Sequence, residues 1–459
     1  MNIPQSMFRA YDIRGTVTDE LTADNVKIIG QAIGSECLAC GADKIVIGRD
    51  GRLSGPSLQQ ALSDGIQSTG VTVVDVGMAP TPLVYYAMFA LNVDSCVAVT
   101  GSHNPPDYNG LKIVIAGETL YGERIQDLYN RIVNDNFTSG AGKIIHEQII
   151  ERYTERVLSD IKLARPMKLV VDCGNGVAGA VVPNLLKSLG CEVEEIYCDV
   201  DGNFPNHHPD PSKLENLTDL IAKVKESGAE LGMAFDGDGD RLGLVDKSGN
   251  ILWPDRQMML FAEDVLERNP GAEIIFDVKS SKNLPEVIEK LGGKPTMWKT
   301  GHSFIKKKLK ETGALLAGEM SGHIFIKERW YGFDDGIYAA ARILEILAKK
   351  AKDPEEIFKA LPDSINTPEI NVAFASDDDK FAFMQKLVAN AEFAGSLDVI
   401  KIDGLRVDFK DGWGLIRPSN TTPVLVLRFE ADTENALEHI KNLFREQMLQ
   451  IDPDIKLGF

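Results

Sequence analysis

No stretch of this 459-residue chain approaches the roughly 18 consecutive apolar residues that a membrane-spanning helix needs. Its first residues, MNIPQSMFRAYDIRG, lack a charged opening followed by an apolar core, so a cytoplasmic protein with no membrane partner is expected. Basic charge is scarce as well. Against 68 Asp and Glu stand 49 Lys and Arg, a formal charge of -19, which argues against nucleic acid or an anionic membrane as partner. If the substrate is anionic, its basic residues must therefore be concentrated locally. Cysteine is limited to six residues, and Cys37-x-x-Cys40 has no second pair at zinc-ligand spacing. That pair sits late in a helical stretch, not at a helix start where a thiolate is stabilised, so the cysteines are expected to be buried thiols.

With 44% hydrophobic and 25% charged residues, 41 Gly and 21 Pro, the chain reads as a folded, loop-rich α/β protein. Its length is too great for one ordinary core. Three strand–helix–strand stretches, beginning near Lys44, Lys168 and Glu273, are each followed by a strand–loop–strand segment: CVAVTGSHNPPDYNGLKIV, LGMAFDGDGDRLGLV and ALLAGEMSGHIFIK. Three repeated mixed α/β domains are expected, at 1–147, 148–251 and 252–363. The pattern then changes to an α+β domain at 364–459 with an antiparallel sheet. Equivalent loops on the three repeats imply one shared cleft.

The second loop places Asp236, Asp238 and Asp240 at alternate positions after an apolar strand. Two unit charges about 5 Å apart repel by roughly 3 kcal/mol at an effective dielectric near 20, so three converging carboxylates favour a cation. A calcium loop of the EF-hand type fails, because its glycine and glutamate positions hold Arg241 and Lys247. A short all-oxygen site with spare coordination positions suits Mg²⁺. In the first loop, Gly101 and two prolines end the strand, so Ser102 is expected exposed at its carboxyl end, as a phosphoryl carrier or as an ordinary turn serine. G-x-S-x-G is absent and His103 is adjacent, hence poorly placed as that serine's base, so a Ser-His-Asp hydrolase is not expected. Glu319 and Ser321 in the third loop pair a carboxylate with a hydroxyl, suited to sugar hydroxyls. Arg417-Pro-Ser-Asn-Thr-Thr-Pro423 is a donor-rich turn suited to phosphate oxygens. Gly174-Asn-Gly176-Val-Ala-Gly179 matches the dinucleotide fingerprint. The other two repeats lack it, and close strand–helix packing is the preferred reading.

TGSHNPP, FDGDGDR, GEMSGH and RPSNTTP, in this order after RAYDIRG, resemble the α-D-phosphohexomutase superfamily, most closely its bacterial phosphomannomutase/phosphoglucomutase branch. The resemblance covers essentially the whole chain and implies four domains around a deep cleft. It also implies that Ser102 is a phosphoserine and that Asp236, Asp238 and Asp240 bind Mg²⁺ together with a phosphoserine oxygen. Lys112 and Arg14 would lie near that serine and Arg241 beside the metal loop. Glu319 and Ser321 would hold sugar hydroxyls, with Tyr11, Lys279 and His302 also touching substrate. Arg417, Ser419, Asn420 and Thr421 would grip the phosphate not being transferred. The implied activity is reversible phosphoryl transfer between the 1- and 6-positions of mannose and glucose phosphates, by a monomer activated by glucose 1,6-bisphosphate. Lys112 and His302 are both candidates for the general acid/base. A Mg²⁺-dependent phosphatase and a sugar-phosphate sensor are the rival readings.

Overall fold

The computed structural model describes residues 3–350, 352–419 and 422–459. Four sheets follow one another along the chain. In the first, Lys44–Arg49 lies between Thr72–Met78 and Cys96–Val99 as parallel neighbours, and Tyr108–Ile115 returns antiparallel beside Cys96–Val99. The second repeats this order with Glu192–Ile196, Lys168–Asp172, Leu231–Phe235 and the antiparallel Leu242–Asp246. The third does so with Lys294–Trp298, Glu273–Asp277, Leu316–Gly318 and Ile324–Ile326. Each reactive loop thus joins a parallel strand to its antiparallel return, at the carboxyl end of its sheet, where open α/β sheets bind ligands. The fourth sheet is antiparallel throughout and is covered by the helices Asp377–Asn390 and Glu434–Ile451. Its strand Ser396–Ile400 was not expected. Three of its five residues are exposed and its register is irregular, so no buried alternation marks it.

One apolar core runs through the first three units, joining Val46 and Tyr85 to Phe235, Met258 and Ile337. Its centre is aromatic: Trp330 stacks on Tyr338 at 3.9 Å and on Tyr86 at 6.1 Å. The fourth unit has a separate core around Leu387, Phe429 and Phe444. Its seam with the third is mixed: Val278 and Met297 pack against Trp413 and Leu415, while Arg406 donates to the carbonyls of Val278 (2.7 Å) and Ser280 (2.8 Å) and Ser281 to Glu430 (2.8 Å). The first three units share one apolar core, whereas the fourth joins the third through this smaller mixed seam.

One expectation is corrected and one preferred reading is supported by close backbone contacts. Cys40 is exposed, not buried, because it ends its helix, with its thiol beside Arg124 and Glu36; Cys198 is half-buried and the other four cysteines are buried. Gly174–Gly179 has a packing role. A Cβ on Gly176 would lie 2.8 Å from the Gly237 carbonyl, and one on Gly179 would lie 1.9 Å from that of Cys198. The backbone N–H of Val177 donates to Gly237 at 3.1 Å, so this turn buttresses the aspartate loop.

Candidate active site

Ser102 departs most from expectation. It is buried, not exposed, because the aspartate loop of the second unit closes over it, and its Oγ lies 3.0 Å from Asp236 Oδ2. Its backbone has φ of +48°, in the left-handed region that a serine rarely occupies. The loop is held in this shape by Asp50 and Arg52. Asp50 accepts from the Thr100 hydroxyl and the Gly101 N–H, while Arg52 donates to the carbonyls of Ser102, Asn104, Pro105 and Tyr108. Glycine is required at 101, where a Cβ would lie 2.4 Å from the Arg52 guanidinium. His103, judged poorly placed from sequence, brings Nδ1 to 3.2 Å from Ser102 Oγ, because the left-handed turn folds the two side chains together. Burial and the nearby Arg241 and Arg14 hold its pKa well below the ordinary imidazole range.

Asp236, Asp238 and Asp240 are fully buried, and one oxygen from each lies within 4.8 Å of the others. Lys112 crosses from the first unit to place Nζ 2.7 Å from Asp238 and 2.5 Å from Asp240. Burial and repulsion by Asp240 and Asp238 push Asp236 well above the usual carboxylate range. Asp240 is held low, Lys112 and His323 outweighing burial. Asp238 Oδ1 is buried with no hydrogen-bond partner among the described residues. Three convergent carboxylates with an orphaned oxygen fit a hard divalent cation, and this cluster can hold a metal ion.

The third loop meets the aspartates through His323, a residue sequence reasoning did not single out. Its Nε2 is 3.2 Å from Asp240 and its Nδ1 3.0 Å from both Glu319 and Ser321. Although burial opposes its charge, Asp240 and Glu319 raise its pKa to about 9. A protonated ring cannot accept from Arg241 Nε, 3.2 Å away, so that contact is a close approach between two donors. Arg241 also lies 3.7 Å from Asp236 and 3.9 Å from Asp210.

Arg14 pairs with Asp12 at 2.5 Å and donates to Asn104 in the Ser102 loop at 2.7 Å. Around the loop Thr300–His302 the units converge again. Tyr11 donates to the Thr300 carbonyl at 3.0 Å, and Asp403 accepts from Thr300 N–H at 3.0 Å and from Arg417 Nε at 2.9 Å. Glu319 accepts from Gly301 N–H. His302 Nδ1 faces Asp334 Oδ2 at 3.5 Å, and burial, with Lys306 and Lys112, keeps its pKa well below the ordinary value. Lys279 pairs with Glu369 at 2.8 Å. Ser419 accepts from the backbone and hydroxyl of Thr422, and Lys380 donates to its carbonyl. Asn420 and Thr421 lie outside the described residues. Asp334, Glu369 and Asp403 carried no sequence signal, since each lies outside the recognisable loops.

Four family models match the chain in order. They are alpha/beta/alpha domains I, II and III of phosphoglucomutase/phosphomannomutase, at residues 5–139, 149–249 and 253–365, and the C-terminal domain of the same proteins at 369–447. The chain belongs to the phosphoglucomutase/phosphomannomutase family. A phosphomannomutase/phosphoglucomutase of Pseudomonas aeruginosa is 58% identical over 457 residues, covering 100% of this chain and 98% of that protein. A Neisseria meningitidis phosphoglucomutase is 53% identical, covering 99% of both. The crystal structure of a Burkholderia thailandensis protein of the family superposes with a TM-score of 0.96 at 55% identity, covering all of both chains. The expected superfamily and four-part architecture are thereby borne out. Among the described residues, no helix of this family member is long and apolar enough to cross a membrane.

Proposed function

We propose that this chain is a phosphohexomutase that interconverts the 1- and 6-phosphates of mannose and glucose through a phosphorylated Ser102 and a hexose 1,6-bisphosphate intermediate. The observation that carries the reading is the junction of Ser102 Oγ with Asp236 at 3.0 Å, in a buried cluster that also draws in Lys112, Arg241 and, through His323, Glu319. Mg²⁺ held by Asp236, Asp238, Asp240 and an oxygen on Ser102 would supply Lewis-acid stabilisation of the transferring oxygens.

In the forward half-reaction the sugar's 6-hydroxyl oxygen attacks the phosphorus on Ser102. The bond from phosphorus to Oγ breaks, and its electron pair stays on Oγ. Lys112 and Arg14 offset charge at the transferring group. The proton leaving the 6-hydroxyl needs a neutral acceptor. His302, kept uncharged by burial and by Lys306 and Lys112, suits that role better than Lys112, whose ammonium is clamped between two carboxylates. The bisphosphate then reverses in the cleft and returns its 1-phosphoryl group to Ser102. Glu319 and Ser321 hold sugar hydroxyls, Lys279 and Tyr11 contact the sugar phosphate, and Arg417, Ser419, Asn420 and Thr421 hold the distal phosphate. Glucose 1,6-bisphosphate would act as activator by restoring phosphoserine. The working form is read as a cytoplasmic monomer, which light scattering would test.

Phosphorus NMR decides the activity. With Mg²⁺, a trace of glucose 1,6-bisphosphate, and mannose or glucose 1-phosphate in parallel tubes, the 6-phosphate should form without free phosphate. Ser102→Ala should abolish sustained turnover. Release of inorganic phosphate in step with substrate loss would make the chain a phosphatase, and an unchanged spectrum would leave a sensor.

A further inference from the structure

Away from the cleft, a cavity of about 360 Å³ opens between the first and third units. It lies at the opposite end of the first sheet from Ser102. Cys96, which begins the strand leading to Ser102, pairs with Val114, and the cavity's edge is formed by Val114 and the turn at Gly117. One wall is aromatic: Phe89 stacks on Tyr331 at 4.5 Å and on Phe333 at 6.0 Å, yet remains 50% exposed. Such an open aromatic stack offers a flat ring a place to lie.

The opposing lining is basic. Lys306, Lys307 and Lys310 come from the helix His302–Thr312 and Lys327 from the end of the third sheet. Lys306 is neutralised by Asp334 at 2.9 Å, and Lys307 donates to the Tyr121 hydroxyl and lies 4.0 Å from Glu311. Among the described residues Lys310 donates only to the carbonyl of Gly117, at 3.2 Å. The Lys327 ammonium has no ion pair or hydrogen bond among the described residues. The one carboxylate of the lining, Glu118, faces Arg124 at 3.8 Å. Two ammonium groups without carboxylate partners, beside an aromatic stack, stand out in a chain of charge -19.

We propose that this cavity binds a small aromatic anion. Its ring system would lie against Phe89 and Tyr331, and its single carboxylate, sulfonate or phosphate head between Lys310 and Lys327. The volume is near the lower end for small-molecule pockets and suits a compact ring system. The ligand would touch both units, along the helix whose first residue is His302.

Fluorescence titration of the full chain with anilinonaphthalene sulfonate tests this. One saturable site is expected, weakened about tenfold or more by Phe89→Ala and by the double variant Lys310→Glu/Lys327→Glu. Lys310 and Lys327 are exposed and Phe89 is only half-buried, so circular dichroism should be unchanged, with melting lowered by at most a few degrees in Phe89→Ala and unchanged in the lysine double variant. Neutral phenylnaphthylamine should bind at least about tenfold more weakly, and neither inorganic phosphate nor glucose 6-phosphate should displace the probe. Unchanged affinity in the variants, non-saturating binding or equal affinity for the neutral analogue would overturn the proposal. Displacement by phosphate would reduce it to a simple anion site, and displacement by glucose 6-phosphate would put the probe in the cleft; either result refutes it.

Discussion

The guanidinium of Arg52 is buried and donates to four carbonyls of the Ser102 loop, at 2.8 Å to Ser102, 2.6 Å to Asn104, 2.5 Å to Pro105 and 2.9 Å to Tyr108, while pairing with Asp50 at 3.1 Å. Arg52→Lys keeps the charge but loses the planar fork, and one ammonium can reach about half of these acceptors. Two buried charge-assisted hydrogen bonds lost correspond to about 3–5 kcal/mol. The first calorimetric transition should fall by roughly 5 °C. Freed carbonyls at Ser102 and Asn104 should let the loop shift, and a displacement of about 1 Å costs roughly a hundredfold in rate. Calorimetry, hydrogen exchange over residues 100–110 and mutase assays read the three consequences separately. Melting within about 2 °C of the parent, with unchanged exchange in the loop, would show that the arginine does not hold it and would refute the reasoning.

Three further outcomes are expected. Ser102→Gly and Ser102→Ala should both be inactive, but thermal melts should find the glycine variant more stable by about 1 kcal/mol, because φ of +48° strains any side chain there. Chelation with EDTA should abolish activity and Mg²⁺ restore it, with Mg²⁺ raising the melting temperature of the parent but not of Asp238→Asn. Hydrogen bonds from Arg268 and Arg342 outweigh burial and hold Asp264 at about 2, below its free value of 3.8. A depressed folded pKa means that this contribution, about 2 kcal/mol, is present above pH 3.8 and lost as pH falls through about 2. Melting curves of Asp264→Asn should therefore show lower stability at neutral pH and a shallower decline in acid.

The repeats were legible because their signals are local. A β-branched run ending in Gly and Pro marks a strand and its loop whatever surrounds it, and Cys96–Val99, Leu231–Phe235 and Leu316–Gly318 lie where the sequence placed them. The aspartate triplet likewise carries its chemistry in six consecutive residues. Ser102 was misjudged because its burial comes from a loop some 130 residues away, which no local pattern reports. His323 stood inside a recognised motif yet went unassigned, since only the fold brings Asp240 to its ring. Glu369 and Asp403 were invisible for a related reason: a lone carboxylate in an ordinary stretch becomes meaningful only when another unit presents it with a cation.

Those carboxylates also explain how an acidic chain can prepare a site for an anion. Each cation of the cleft already has an acidic partner: Arg14 has Asp12, Lys112 has Asp238 and Asp240, Arg241 has Asp236 and Asp210, Lys279 has Glu369, and Arg417 has Asp403. An unpaired buried cation would cost several kcal/mol, so these carboxylates satisfy the arginines and lysines of the cleft internally. A phosphate entering it must share or replace these partners. Two of the carboxylates, Glu369 and Asp403, belong to the fourth unit, which has its own core. The cations on the phosphate side, Lys279 and Arg417, thus take their carboxylates from a unit with its own core, apart from the packed core around the serine and the aspartates.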